Sequence, residues 1–246
     1  MSDKLLFISV FNNGAIEIAK NHLQSLRNVG ITNNRCYVTD TESYEIIKSL
    51  GYKVYLLQNN DIKKDSTQFG TPEFNNMSYV RYYVMKQLLE KGFDVWYMDV
   101  DTVVLQDLTP IYLENKRNKY FDVMCQTDIN MPCTGCMLLF SCERTIQFVD
   151  AVITNQNSEA NDQLIVNRIL NVNVDLIRYA NFSVFMFPNG LLYFDDDIVK
   201  CPDIYRNIKD TFISKKDKII HFVHANWIIG DKNKIEALKK TGLWFI

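Results

Sequence analysis

The chain has 246 residues, of which 47% are apolar and 23% charged, with a formal net charge of -2. That is the balance of an ordinary globular protein with enough apolar side chains for a sizeable core. A charge so near neutral excludes a global field that would draw nucleic acid or an acidic membrane, so an anionic ligand has to be held by local groups.

The run Leu5 to Phe11 is apolar and ends in Asn12-Asn13-Gly14. It is too short for a signal peptide and lacks a small-residue cleavage site, so it reads as a buried strand followed by a turn. Ala15 to Val29 carries Ile18, His22, Leu26 and Val29 near one helical face. A strand at Arg35 to Thr39, a helix at Thr41 to Leu50 stopped by Gly51, and a strand at Lys53 to Leu57 complete an alternating βαβαβ unit. The polar segment Asn59 to Asn76 is the longest expected loop and a candidate cover for a ligand. A helix follows at Ser78 to Lys91, closed by Gly92, and then a strand at Asp94 to Met98.

The second half predicts strands at Phe121 to Gln126 and Met137 to Ser141, with Thr134-Gly135 in the loop between them. Helices are expected at Arg144 to Ile153 and Asn161 to Leu170. Short strands are expected at Asp175 to Ile177, Ser183 to Phe187, Leu191 to Phe194 and Ile219 to Val223, and a last helix at Lys232 to Lys240. Without repeats or linkers this is one domain, 1–246, of the α/β class with a mostly parallel sheet flanked by helices. No run approaches the roughly 20 apolar residues of a membrane span, and the expected location is the cytoplasm. Oligomeric state is not readable. Cys133 and Cys136 form a CxxC, but no second closely spaced ligand pair accompanies them for zinc.

The strand at 94–98 delivers Asp99-Val100-Asp101 to its carboxyl end, where α/β sheets collect ligands. In extended backbone residues two apart share a side, and two carboxylates held together repel unless a cation neutralises them. Mn²⁺ or Mg²⁺ is the natural partner. A rival reading exists. Asp99-Val100-Asp101-Thr102-Val103 also matches haloacid-dehalogenase-like phosphatases, with Asp99 as nucleophile and Asp101 as general acid/base. That reading requires a later strand ending in paired acids, which Leu191 to Asp197 could supply. The βαβαβ unit and long helix ahead of the acidic pair favour a nucleotide-binding arrangement instead.

The C-terminal segment HFVHANWIIGDKNKIEALKKTGLW adds His224, whose neutral imidazole can complete a metal site begun by two carboxylates. Gly230 allows close backbone approach to a phosphate, and Lys232 or Lys234 at a helix start brings a positive charge.

Taken in order, Ser78 and Arg81, the Asp99-Val100-Asp101 triplet, Thr134-Gly135, Asp162-Gln163 and the HAN…G…K…GLW ending resemble one family. It is the nucleotide-diphospho-sugar transferase family of metal-dependent, retaining glycosyltransferases of the GT-A fold, which includes plant cell-wall xylosyl- and arabinosyltransferases and viral and microbial enzymes. The resemblance implies transfer from a nucleoside-diphosphate sugar, UDP-linked, to a hydroxyl of a glycan, protein or small molecule. It implies Asp101, Asp99 and His224 as ligands of Mn²⁺ or Mg²⁺, with Asp99 also on the sugar or ribose. Lys234 or Lys232 and Gly230 would meet the diphosphate, and Ser78 and Arg81 the donor. Asp162 and Gln163 would lie under the reacting carbon. Phe11, Asn12, Asn13, Thr39 and Asp40 would hold base and ribose, and Thr134, Gly135 and Asn226 the sugar or acceptor. The nucleotide-binding half would be about 1–105 and the acceptor-binding half about 106–246. Where the family commonly has Asn-Thr-Gly this chain has Cys133-Thr134-Gly135, and His221 competes with His224. A binding protein that has lost the chemistry is the remaining alternative.

Overall fold

The computed structural model of the protein describes residues 4–57, 71–157, 159–172, 177–215 and 219–246. The first elements are β1 (Leu5–Phe11), a 3₁₀ turn (Asn13–Ala15), α1 (Ile16–Asn28), β2 (Asn34–Val38), α2 (Thr41–Ser49) and β3 (Val54–Leu56). Next come α3 (Pro72–Glu90), β4 (Asp94–Met98), β5 (Thr102–Val104), α4 (Thr109–Asn118), β6 (Val123–Asp128) and β7 (Met131–Leu139). The chain continues through α5 (Glu143–Thr154), α6 (Asp162–Val172), β8 (Tyr179–Asn181), α7 (Gly190–Tyr193), α8 (Asp203–Ser214), β9 (Phe222–His224) and α9 (Asp231–Lys240).

Seven strands form one sheet in the order β3-β2-β1-β4-β7-β6-β8, and β5 and β9 form a separate two-stranded ribbon. β1 to β4 run parallel; β7 is antiparallel to both neighbours, and β8 returns parallel to β6. This is the expected α/β class with a mostly parallel, helix-flanked sheet.

The central strands are apolar on both faces because helices cover both. Phe7, Trp96, Met98, Cys136 and Leu138 face α1, α2 and α4 through Leu23, Leu26, Ile47 and Tyr112. Ile8, Val95, Tyr97, Met137 and Leu139 face α3, α5 and α6 through Tyr82, Met85, Phe148, Val149 and Val166. This alternation puts Tyr97, and with it Asp99, on the α3 side. Each large apolar side chain buried this way contributes roughly 1.5–3 kcal/mol. A third cluster joins the β5–β9 ribbon to α9 through Val103, Val223, Ala225, Ile228, Ala237 and Leu238. The C-terminal tail is pinned to α1, where Asn21 donates to the Leu243 carbonyl at 3.0 Å and accepts from Phe245 N at 2.6 Å.

Several expectations are corrected. Residues 183–187 form no strand but a turn, and Leu191 to Tyr193 lie in α7, where the Asn189 side chain caps Leu192 N at 3.2 Å. The strand expected at 175–177 falls mostly outside the described residues, and the strand that pairs with β6 is Tyr179–Asn181. Of the expected loop, 59–70 lies outside the described residues and 72–76 opens α3. The Thr134-Gly135 loop is instead continuous strand, within β7. β5, α4 and α8 were not expected.

Asp122, just before β6, gathers this outer half of the sheet. Its carboxylate takes two bonds from Arg144 (2.9 and 2.9 Å) and two from Arg178 (3.1 and 2.8 Å), plus Arg178 N at 3.1 Å. Burial pushes this carboxyl up, and the two guanidiniums outweigh it and hold it well below the usual carboxylate range. The folded value is depressed, so this stabilisation is complete above the unfolded value near 3.9 and is lost as pH falls. We predict that Asp122→Ala costs about 2–4 kcal/mol in urea unfolding at neutral pH, with the gap to wild type narrowing below about pH 4.

Candidate active site

The acidic triplet follows β4 directly, and its backbone is a turn rather than the extended segment expected. Four hydrogen bonds pin the turn. Asp99 N donates to the Gly135 carbonyl at 2.8 Å, and Ala225 N donates to the Asp101 carbonyl at 2.9 Å. Thr102 Oγ1 donates to the Asp99 carbonyl at 2.7 Å. From below, buried His22 on α1 bonds the Thr102 carbonyl through Nδ1 at 3.1 Å and meets Ser9 Oγ through Nε2 at 3.1 Å. Burial pushes His22 down to about 4, so it serves as a neutral strut.

The two carboxylates are neutralised by different cations. Asp99 accepts from Arg81 Nη1 at 3.0 Å and from the Tyr97 hydroxyl. Arg81 is itself locked: Nε donates to the Ser78 carbonyl at 2.7 Å, Nη1 reaches the Thr134 carbonyl at 3.3 Å, and the guanidinium lies 4.7 Å from the Tyr97 ring centre. Asp162 stands behind it, 3.7 Å from Arg81 Nε and accepting from Tyr82 Oη at 2.8 Å. Asp101 meets His224 Nε2 at 3.1 Å and accepts from Lys234 Nζ at 2.7 Å. Burial pushes the Asp101 carboxyl up, but Lys234 and His224 outweigh it and hold it well below the usual range. The same pairing outweighs burial at His224 and Lys234 and raises both. Gln126 Oε1, at 2.8 Å from His224 Nδ1, fixes that nitrogen as the donor and turns Nε2 toward the carboxylates.

This donor set fits a divalent ion. One ligand atom each from Asp99, Asp101 and His224 lies within 4.8 Å of the others. Two carboxylates and an imidazole are the oxygen-rich, nitrogen-completed set that Mn²⁺ takes. Gly135 forms the floor. A Cβ there would stand 2.4 Å from His224 Cε1 and 2.7 Å from Asp99 Oδ2, so only glycine lets β7 pass beneath the ligands.

The alternative residues lie in different surroundings. Lys234 is on Asp101, whereas Lys232 is exposed in the first turn of α9, which opens at Gly230 in a left-handed conformation. His224 is in the cluster, whereas His221 stacks on Phe187 with centroids 6.2 Å apart. The Thr134 carbonyl accepts from Arg81 and the Gly135 carbonyl from Asp99 N. Asn226 accepts from Gly190 N at 2.7 Å and so ties the C-terminal loop to α7. Gln163 donates to Asp128 Oδ2 at 3.1 Å. Ser78 contributes its carbonyl, since its hydroxyl bonds the Asn75 carbonyl at 2.7 Å.

At the carboxyl ends of β1 and β2, Thr39 N bonds the Phe11 carbonyl at 3.3 Å, with buried Asn12 alongside. Asp40 caps α2 and also accepts from Asn13 N at 2.9 Å, so both its oxygens are engaged within the protein. Two buried atoms beside it, Asn13 Oδ1 and Thr39 Oγ1, have no hydrogen-bond partner among the described residues.

The phosphatase arrangement is overturned here. Leu191–Tyr193 is helix rather than strand, and Asp196 is held by Lys209 and Arg206 at 2.7 and 2.5 Å, among the residues of α8. Cys133 and Cys136 alternate across β7, with Cys133 Sγ 3.8 Å from His224 Nδ1 and Cys136 in the core. Sequence reasoning missed Tyr97, Tyr82, Gln126 and Asp128. The two-residue alternation that pairs sides of a strand could have found Tyr97, two before Asp99.

A family model described as nucleotide-diphospho-sugar transferase matches residues 31–238. A UDP-galactose:fucoside alpha-3-galactosyltransferase of Dictyostelium discoideum is 27% identical over 74% of this chain and 30% of its own length. A UDP-D-xylose:L-fucose alpha-1,3-D-xylosyltransferase of Arabidopsis thaliana is 29% identical over 74% of this chain and 53% of its own length. The chain therefore spans about half or less of the curated relatives it matches. Among solved structures, the galactosyltransferase LgtC superposes with a TM-score of 0.56 at 12% identity, covering 96% of this chain and 95% of that one. The glycosyltransferase GlyE of Streptococcus pneumoniae gives 0.58 at 12% identity, covering 98% and 64%. These likenesses show the GT-A fold. Among the described residues no helix is long and apolar enough to cross a membrane.

We predict that Gly135→Ala weakens Mn²⁺ binding by about 10–100-fold in calorimetric titration, because the added methyl displaces His224 and Asp99. An unchanged affinity would show that the ion, if bound, sits elsewhere.

Proposed function

We propose that this chain, which belongs to the nucleotide-diphospho-sugar transferase family, transfers a sugar from UDP to a hydroxyl of an acceptor glycan with the help of Mn²⁺ or Mg²⁺. The observation that carries this reading is the cluster of Asp99, Asp101 and His224 over Gly135, with Lys234 on the same carboxylate.

Asp99, Asp101 and His224 would hold the ion, which when bound supplies positive charge against the diphosphate. Lys234 adds a second positive charge beside the first. Arg81 holds Asp99 in place, and Gln126 keeps His224 in the tautomer that offers Nε2. Asn13 and Thr39, with Phe11 and Asn12, would receive base and ribose at the β1 and β2 ends. The bond between the anomeric carbon and the phosphate oxygen breaks, the acceptor oxygen bonds that carbon, and the acceptor proton passes to the departing phosphate. Stabilising the leaving group is where charge develops, so the cationic cluster supplies most of the rate. Gln163 and Asp162 lie on α6 beside this centre as amide and carboxylate, with Asp162 serving through Arg81. One unit does both tasks, nucleotide in about 1–105 and acceptor in about 106–246.

Transfer with retention is the stereochemistry we propose, and the alpha products in the relatives' names support it, since UDP-galactose and UDP-D-xylose are alpha-linked donors. Both names give a fucose-type acceptor, which we propose here as well.

The reading is tested by thermal unfolding with UDP, with and without Mn²⁺. UDP at about 100 times its dissociation constant adds roughly 2.7 kcal/mol, and we expect that gain only with the ion. Asp101→Ala is expected to abolish it. No response of the wild type to any nucleotide would sink the donor site. Binding of UDP-sugar with neither hydrolysis nor transfer would instead leave a protein that has lost the chemistry.

A further inference from the structure

Trp227 belongs to none of the apolar clusters of the described residues. It is 46% exposed, and its backbone lies in the left-handed region at φ 69. A bulky residue is rarely found there and persists only where the surroundings impose it. The loop is anchored by its neighbour instead: Ile228 is buried against Val103, Val223, Ala237 and Leu238, while Ile229 is 78% exposed. The loop thus turns one side chain in and two apolar side chains out.

The indole is not loose. Its Nε1 donates to Asp128 Oδ1 at 2.7 Å, and Asp128 is buried at the end of β6. The polar edge of the ring is satisfied by the protein and its apolar surface is left to solvent. The other oxygen of the same carboxylate holds Gln163 at 3.1 Å, and Trp227 follows the metal-site His224 by three residues. One buried acid therefore ties the exposed indole to Gln163 at the start of α6, three residues along the chain from the His224 of the cation cluster.

We infer that Trp227, extended by Ile229, is the platform on which the acceptor sugar lies. A pyranose presents a face of C–H groups that packs on an aromatic surface while its hydroxyls stay wet at the rim. A 6-deoxy sugar adds a methyl group where Ile229 continues the apolar surface. The occupant is a neutral sugar ring of that class. The assignment rests on the transferase reading and names the residue that selects the acceptor for it.

The test uses the whole chain with UDP-sugar, Mn²⁺ and methyl α-L-fucoside. Trp227→Ala is expected to raise the acceptor KM about tenfold or more, with kcat much less affected and the UDP–Mn²⁺ thermal shift retained. Trp227→Phe, which restores an aromatic surface without the indole N–H, should recover most of the loss. Methyl α-L-galactoside, the same ring with a 6-hydroxyl, should be the poorer acceptor. Tryptophan fluorescence of the wild type should respond to the fucoside, and that response should vanish in Trp227→Phe. An unchanged KM in Trp227→Ala would overturn the platform and assign the surface to something other than the acceptor. So would a Phe variant as poor as Ala, which would make the residue a support for Asp128. A wild type whose fluorescence ignores methyl fucoside, xyloside and galactoside alike would overturn it too. Absence of any UDP response would defeat the transferase reading, and the fluorescence titration with fucoside alone would then still decide the platform.

Discussion

Two carboxylates two residues apart cannot both be charged in a half-buried turn without cations close by, and the rest of this structure answers that constraint. Asp99 has Arg81 from α3, and Asp101 has His224 and Lys234 from the C-terminal segment. Each source requires its own piece of architecture. The long helix packed on one sheet face presents Arg81. The β5–β9 ribbon, pairing Thr102 with His224, carries the imidazole to the turn. The antiparallel β7, inserted between β4 and β6, supplies a strand without a side chain at Gly135, where both ligands need room.

Around this centre most polar side chains are supports rather than contacts waiting for a ligand. Arg81 is tied by its own helix, Asp162 by Tyr82, His224 by Gln126 and Gln163 by Asp128. Such bracing keeps a charged site in one geometry in the absence of ligand, so little reorganisation accompanies binding. Asn13 Oδ1 and Thr39 Oγ1, at the carboxyl ends of β1 and β2, are by contrast buried without a hydrogen-bond partner among the described residues.

Much of this was legible in the sequence, and the failures have physical causes. The runs at 5–11 and 94–98 are apolar on both faces, which only a covered parallel strand requires, and the acidic pair after the second is plain. Leu191 to Phe194 is equally apolar, but four residues do not separate strand from helix, and the Asn189 cap decided for helix. α8 was hidden because Lys209 sits on its buried face, reaching the Phe194 carbonyl at 2.7 Å, and so breaks the apolar period. β5 is three residues long and has meaning only through a partner at the far end of the chain. Asp40, which the resemblance sets at the base and ribose, is also the cap of α2 and accepts from Asn13 N, a local role that the resemblance does not convey.

The ribbon of β5 and β9 also sets the order in which the protein is completed. Asp101 meets His224 across 123 residues of sequence and Lys234 across 133. Contacts so distant along the chain close late, after local helices and neighbouring strands have formed. As the chain leaves the ribosome, the parallel half of the sheet is available long before the segment that completes the acidic turn emerges. During synthesis the growing chain therefore carries its acidic pair with only the Arg81 side of its counter-charge. The positive partners of Asp101 are therefore in place only once the segment carrying His224 and Lys234 docks on the turn.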